Sequence, residues 1–113
     1  MDTFYKVGHL PTEKKLEIIN KAIEYSNNIR IDKLDCSNVG DRYRRVPIDM
    51  PLEEMLAKFD YKCHFSVVER TLYDIRGEVV FCTMGGKIDY FLWVYLTLEK
   101  LEELVKLFNL GEM

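Results

Sequence analysis

Nothing in this 113-residue sequence is long and apolar enough to cross a bilayer, which takes about 20 residues in a helix. The longest apolar run, Tyr90–Leu96, is strand-sized. Cysteine is scarce as well. Cys36, Cys63 and Cys82 are odd in number and widely spaced, which excludes a disulfide framework and leaves small apolar thiols suited to a reducing compartment. Residues Met1–Lys6 lack a basic segment leading into an apolar one, so no secretory signal is expected and the expected location is cytoplasmic, with no membrane partner. A basic excess is missing too. Lys and Arg number 16 against 19 Asp and Glu, a formal net charge of −3, whereas a general nucleic-acid binder shows the opposite balance.

Chemistry-bearing spacings are equally sparse. The two histidines, His9 and His64, form no CxxC- or HxxxH-type pattern with the cysteines, and a closed zinc site needs four converging ligands. Adjacent Cys63 and His64 would point to opposite faces of a strand. Cys36 could meet a histidine only through the fold. Glu53-Glu54 and Glu102-Glu103 read as solvated helix faces. Met84-Gly85-Gly86-Lys87 lacks the Walker spacing and leads into a strand, so it reads as a hairpin turn. No catalytic residue, metal or cofactor is therefore assigned, and the chain is read as a non-enzyme.

What is present is an ordinary globular composition, 48% hydrophobic and 31% charged, in a length that fits one domain over residues 1–113. Thr3–Val7 reads as a short strand. Thr12 is placed to cap a helix over Glu13–Asn27 with Leu16, Ile19 and Ile23 on its apolar face, widened by Ile18, Ala22 and Tyr25. Asn27-Asn28 ends it. Ile29–Leu34 half fits a strand, and Asp35–Asp49 has no clear period. Asp49 is read as the cap of a short helix over Met50–Phe59, with Pro51 in its first turn.

The C-terminal half is more sharply patterned. Tyr61–Tyr73 alternates, with Tyr61, Cys63, Phe65 and Val67 on one face. Asp74–Gly77 is a turn with Gly77 at positive φ. Glu78–Met84 returns, Gly85-Gly86-Lys87 turns again, and Ile88–Leu96 is a third strand. Thr97 caps a last helix with Leu98, Leu101, Leu104, Val105 and Phe108 inward and Gly111 at its end. The expected fold is α+β: a small antiparallel sheet built on this three-strand meander, extendable by N-terminal strands, packed with about three helices. The third strand is apolar on both faces, which predicts a central strand with a helix layer on each side. The alternative is one helical layer and an aromatic face that binds something.

Two surfaces stand out. Arg42, Tyr43, Arg44 and Arg45 could grip phosphate and stack on a base, or pair with Asp32, Asp35, Asp41 and Asp49. Phe91, Trp93 and Tyr95 form an aromatic row of the kind found in binding hot spots, and Glu99, Glu102 and Glu103, with Glu53 and Glu54, supply acidic helix faces able to steer a basic partner. The reading adopted is a small non-enzymatic protein-binding module of the inhibitor, immunity or adaptor type, acting by blocking a nucleic-acid-handling protein. A small-ligand or nucleotide-binding domain using Arg42–Arg45, and a structural homo-oligomer such as a homodimer, are the alternatives.

Overall fold

Strand Ile88–Leu96 is hydrogen-bonded on both sides, and the rest of the fold follows from that. A computed structural model of the chain describes residues 2–7, 10–35, 45–58, 64–83 and 87–113. In chain order the elements are β1 (Thr3–Tyr5), α1 (Thr12–Tyr25), β2 (Asn28–Asp35), β3 (Arg45–Pro47), α2 (Leu52–Ala57), β4 (His64–Arg70), β5 (Arg76–Cys82), β6 (Ile88–Leu96) and α3 (Leu98–Leu107). The strands make one antiparallel sheet in the order β1-β4-β5-β6-β2-β3. The meander β4–β5–β6 is its middle, and the N-terminal strands extend it on both sides. Among the described residues no helix is long and apolar enough to cross a membrane.

One face of the sheet holds the core. Leu92, Val94 and Leu96 of β6, Val79 and Phe81 of β5, Phe65 and Val67 of β4, and Ile31 of β2 are buried against Ile18, Ile19 and Ala22 of α1 and Leu101 and Leu104 of α3. Met55 of α2 joins the same cluster with no exposed surface. Phe65 and Phe81, directly opposite in register, stack at 5.3 Å. Cross-strand aromatic pairs of this kind add to what burial alone supplies.

No helix among the described residues covers the second face, so the expected two-sided helical cover gives way to a single helical layer. The reason lies in amphipathicity. Each helix has one apolar stripe, and all three stripes are spent on the same side of the sheet.

Several local assignments shift. Thr12 is the first helical residue of α1 and Pro11 takes the cap position without a side-chain bond. Pro51 does the same for α2, where Asp49 was expected. A proline there already has the extended backbone and fixed φ that a helix start requires. The α1 stripe is centred on Ile18, Ile19 and Ala22, leaving Leu16 exposed, and Ser26 ends the helix by donating its hydroxyl to Ile23 O at 2.7 Å. Thr97 does cap α3, its Oγ1 accepting from Lys100 N at 3.2 Å.

At the other end of α3 the left-handed residue is Asn109 (φ 52°). Leu110 N donates to Val105 O and Asn109 N to Lys106 O, the paired bonds that close a helix terminus in this way. Gly111 instead accepts from Lys6 N at 2.8 Å, and Met113 N donates to Phe4 O, so the last residues line the outer edge of β1. That cover protects an otherwise bare strand edge. Gly77 is not in a turn either. It lies in β5, where an added Cβ would sit 2.6 Å from Leu101 Cβ. Its missing side chain is what lets α3 approach the sheet.

Candidate functional site: the helix-free face of the sheet

Residues directly opposite each other in an antiparallel sheet share a face. The register therefore assembles the second face from five strands. Arg30 lies opposite Trp93, Asp32 opposite Phe91 and Asn28 opposite Tyr95 on the β2 side. On the β5 side Val80, Cys82 and Glu78 oppose Trp93, Phe91 and Tyr95 in turn. Arg76 opposes Arg70 and Glu78 opposes Val68 across to β4. Leu34 opposes Arg45 across to β3.

The aromatic row of β6 is neither sealed by a helix nor bare. It is roofed by arginine. The Arg45 guanidinium carbon lies 4.5 Å from the Phe91 ring centre and 5.3 Å from that of Trp93. Arg30 lies over the same Trp93 ring at 4.9 Å and Arg76 over Tyr95 at 4.6 Å. Planar guanidinium groups cover aromatic rings well because they stack, keep their charge and hold their hydration weakly. Phe91 is reduced to 9% exposure in this way, outside the main core. Every cation on the strands of this face is arginine. Lysine does not occur among them.

Carboxylates hold the roof in place. Glu78, 1% exposed, takes Nε and Nη2 of Arg70 on Oε1 at 3.0 and 2.8 Å, and Nη2 of Arg76 on Oε2 at 3.1 Å. Arg70 reaches on to Asp2 at 3.0 Å, and Arg76 also pairs with Asp74. Arg30 meets Asp32, itself buried, at 3.1 Å. Charged, multiply bonded contacts of this kind fix orientation more firmly than neutral ones. The Arg70 guanidinium is held more strongly protonated than usual, chiefly by its hydrogen bond to Glu78. Trp93 Nε1, Arg76 Nε and Asp32 Oδ1 are buried without a hydrogen-bond partner among the described residues.

Between the arginines a cavity of about 280 Å³ opens, walled by Arg30, Arg76, Trp93, Tyr95 and Tyr73. A second, of about 500 Å³, runs from it past Asn28 at the edge of β2. A third, of about 450 Å³, lies between α1 and α3 over Leu107 and Phe108.

Tyr95 carries a phenol whose pKa is raised above the usual value, first by burial, with Arg30 and Arg76 pulling the other way. Tyr5, which donates to Glu69 at 3.3 Å, is raised by burial and then by that carboxylate. A folded pKa above the unfolded one means that the neutral phenol stabilises the fold below about pH 10, and that this is lost as pH rises through the folded value. Thermal midpoints between about pH 9 and about pH 12 should therefore fall with pH, and the fall should be shallower in Tyr95→Phe. Parallel curves for the two proteins would refute the assignment.

Of the residues singled out in the sequence, Phe91, Trp93 and Tyr95 lie together on this face, and Arg45 reaches them from β3. Arg42, Tyr43 and Arg44 lie outside the described residues. Glu99, Glu102 and Glu103 are exposed on α3, which packs on the opposite side of the sheet, so they form a separate surface from the aromatic row. Glu53 and Glu54 are exposed on α2. Cys36, Cys63 and His9 fall outside the described residues, while the register sets His64 opposite Cys82.

Sequence reasoning missed Arg30, Arg70, Arg76 and Glu78, and took Asp32 only as a counter-ion for Arg42–Arg45, whereas it pairs with Arg30. The alternation Ile29-Arg30-Ile31-Asp32 was a usable signal that Arg30 and Asp32 share a polar face. That this face adjoins Trp93 depends on strand order, which is non-local. Comparison with protein-family models, curated proteins and solved structures finds no match to this chain.

Proposed function

We propose that this chain is a small non-enzymatic protein-binding module, of the inhibitor, immunity or adaptor type, and that its working surface is the helix-free face of the sheet. The observation that supports it is the chemistry of that face: Phe91, Trp93 and Tyr95 beneath guanidinium groups, with no lysine beside them among the described residues. Tryptophan, tyrosine and arginine dominate interface hot spots, whereas lysine is depleted there. A surface for phosphate backbones would instead carry uncompensated lysine and arginine, and here Arg30, Arg70 and Arg76 are matched by Asp32, Glu78, Asp2 and Asp74. A partner that handles nucleic acid remains part of the proposal. Its basic working surface would be steered by the net charge of −3 and by Glu99, Glu102, Glu103, Glu53 and Glu54.

The proposal expects a tight heterocomplex recovered from the native host at low salt and no turnover. With the purified partner, Trp93→Ala should weaken binding by about 30-fold or more, the scale of a hot-spot residue. Unchanged affinity in that variant would remove the sheet face from the interface.

One observation favours a second reading, a nucleotide site. Arg45 extends over Phe91 and Trp93, so a base stacked on those rings would lie within reach of the Arg45 guanidinium. Nucleotides should then raise the melting temperature, and alanine at Arg42, Arg44 and Arg45 should abolish the rise. Sedimentation at micromolar concentration tests the homodimer.

A further inference from the structure

The turn between β4 and β5 carries Leu72, Tyr73 and Ile75 at 64%, 95% and 75% exposure. Three large apolar side chains within four residues, all directed into water, are costly to display without a purpose. The turn itself is held firmly. At its first end Arg70 pairs with Asp2, which also accepts from Thr71 N at 3.3 Å. At its second end Arg76 pairs with Asp74, and both arginines converge on the buried Glu78. The backbone that carries the apolar tips is thus tied at both ends before any encounter, which lowers the entropy lost on binding. Tyr73 also walls the same cavity as Trp93 and Arg30, so the turn is continuous with the sheet face.

We infer that the Leu72–Ile75 turn is a pre-formed anchor that inserts into an apolar pocket with a basic rim on a partner protein. This rests on the protein-binding reading above and names the chemistry its partner must offer. Charge selects the occupant. The collar holds the carboxylates of Asp2, Asp74 and Glu78 against the guanidinium groups of Arg70 and Arg76, an excess of one negative charge. Anionic lipid headgroups attract basic segments and would repel this collar. The groove of a second copy is a poor match as well. The α1–α3 cavity over Leu107 and Phe108 has Lys14 and Lys21 on its rim, but these are already paired with Glu17 and Glu24.

The test uses the full chain in its native host with a photo-crosslinking benzoylphenylalanine at position 73, and a control at the exposed position 16 on α1. A protein adduct from position 73 and none from position 16 is expected. The crosslinked protein is then purified and titrated by calorimetry. Leu72→Asp and Ile75→Asp should each weaken binding by about tenfold and Tyr73→Ala by about 30-fold. Melting temperatures should stay unchanged, because the side chains are exposed. The inference is overturned if position 73 gives no protein adduct. It is overturned equally if the chain pellets with phosphatidylcholine–phosphatidylserine vesicles, or sediments as a dimer, in an Ile75-dependent way. Binding that is lost in Trp93→Ala but intact in all three turn variants would keep the sheet face and reject the anchor. Binding untouched by both sets would reject both.

Discussion

Gly77→Ala is expected to destabilise the fold by about 3 kcal/mol, the upper end of the usual cost of overpacking a core. The added Cβ would lie 2.6 Å from Leu101 Cβ and 3.0 Å from Leu101 Cδ2. Leu101 is 1% exposed and Cβ is fixed to the α3 backbone, so rotamer adjustment cannot clear it. The whole helix must move away from β5, loosening Leu104 beside it. Chemical denaturation of both proteins measures the difference. Leu101→Ala alone should also destabilise, through the cavity it leaves. Leu101→Ala keeps the Cβ that the new side chain would meet at 2.6 Å, so the double variant should cost close to the sum of the two. A Gly77→Ala protein as stable as the parent would mean that α3 does not approach the sheet here.

Glu78, the next residue, points to the other face and is expected to matter almost as much. Glu78→Gln should cost about 2–3 kcal/mol, because it removes a buried carboxylate and leaves two guanidinium groups without their shared counter-charge. The arginines are about one-third exposed, 35% and 34%, so water takes up part of the loss and the effect stays below that of a fully buried pair. Replacing Glu78, Arg70 and Arg76 together by apolar residues of similar size should recover most of the stability, as a buried ionic cluster often does no better than good apolar packing. The same triple variant should lose partner binding, because Arg76 covers Tyr95 and, with Arg70, fixes the β4–β5 turn. Stability and binding would then separate, which identifies the cluster as a device for shaping a surface. Full stability in Glu78→Gln would contradict this.

The two residues show how far a sequence carries. Adjacent positions on a strand must face opposite ways, so the chain alone implies that Gly77 and Glu78 serve different surfaces once β5 is assigned. In the sequence, however, Gly77 reads as a turn glycine. Its tolerance of positive φ is a local property, whereas the approach of Leu101 comes from a helix more than twenty positions away. The same limit explains the helix starts. Thr12 and Asp49 are chemically suited to capping, but Pro11 and Pro51 already hold the required backbone.

The α+β class, the antiparallel meander, the three helices and the doubly apolar character of Ile88–Leu96 were determined by the sequence, because periodicity and turn chemistry act between residues near in the chain. What covers each face of that strand was decided only by the tertiary structure. Strand order brings β2 and β5 to its two edges, and so sets Arg30, Arg45 and Arg76 above Trp93, Phe91 and Tyr95. Pairing between distant strands is set by the packing of the whole core, and no local pattern encodes it.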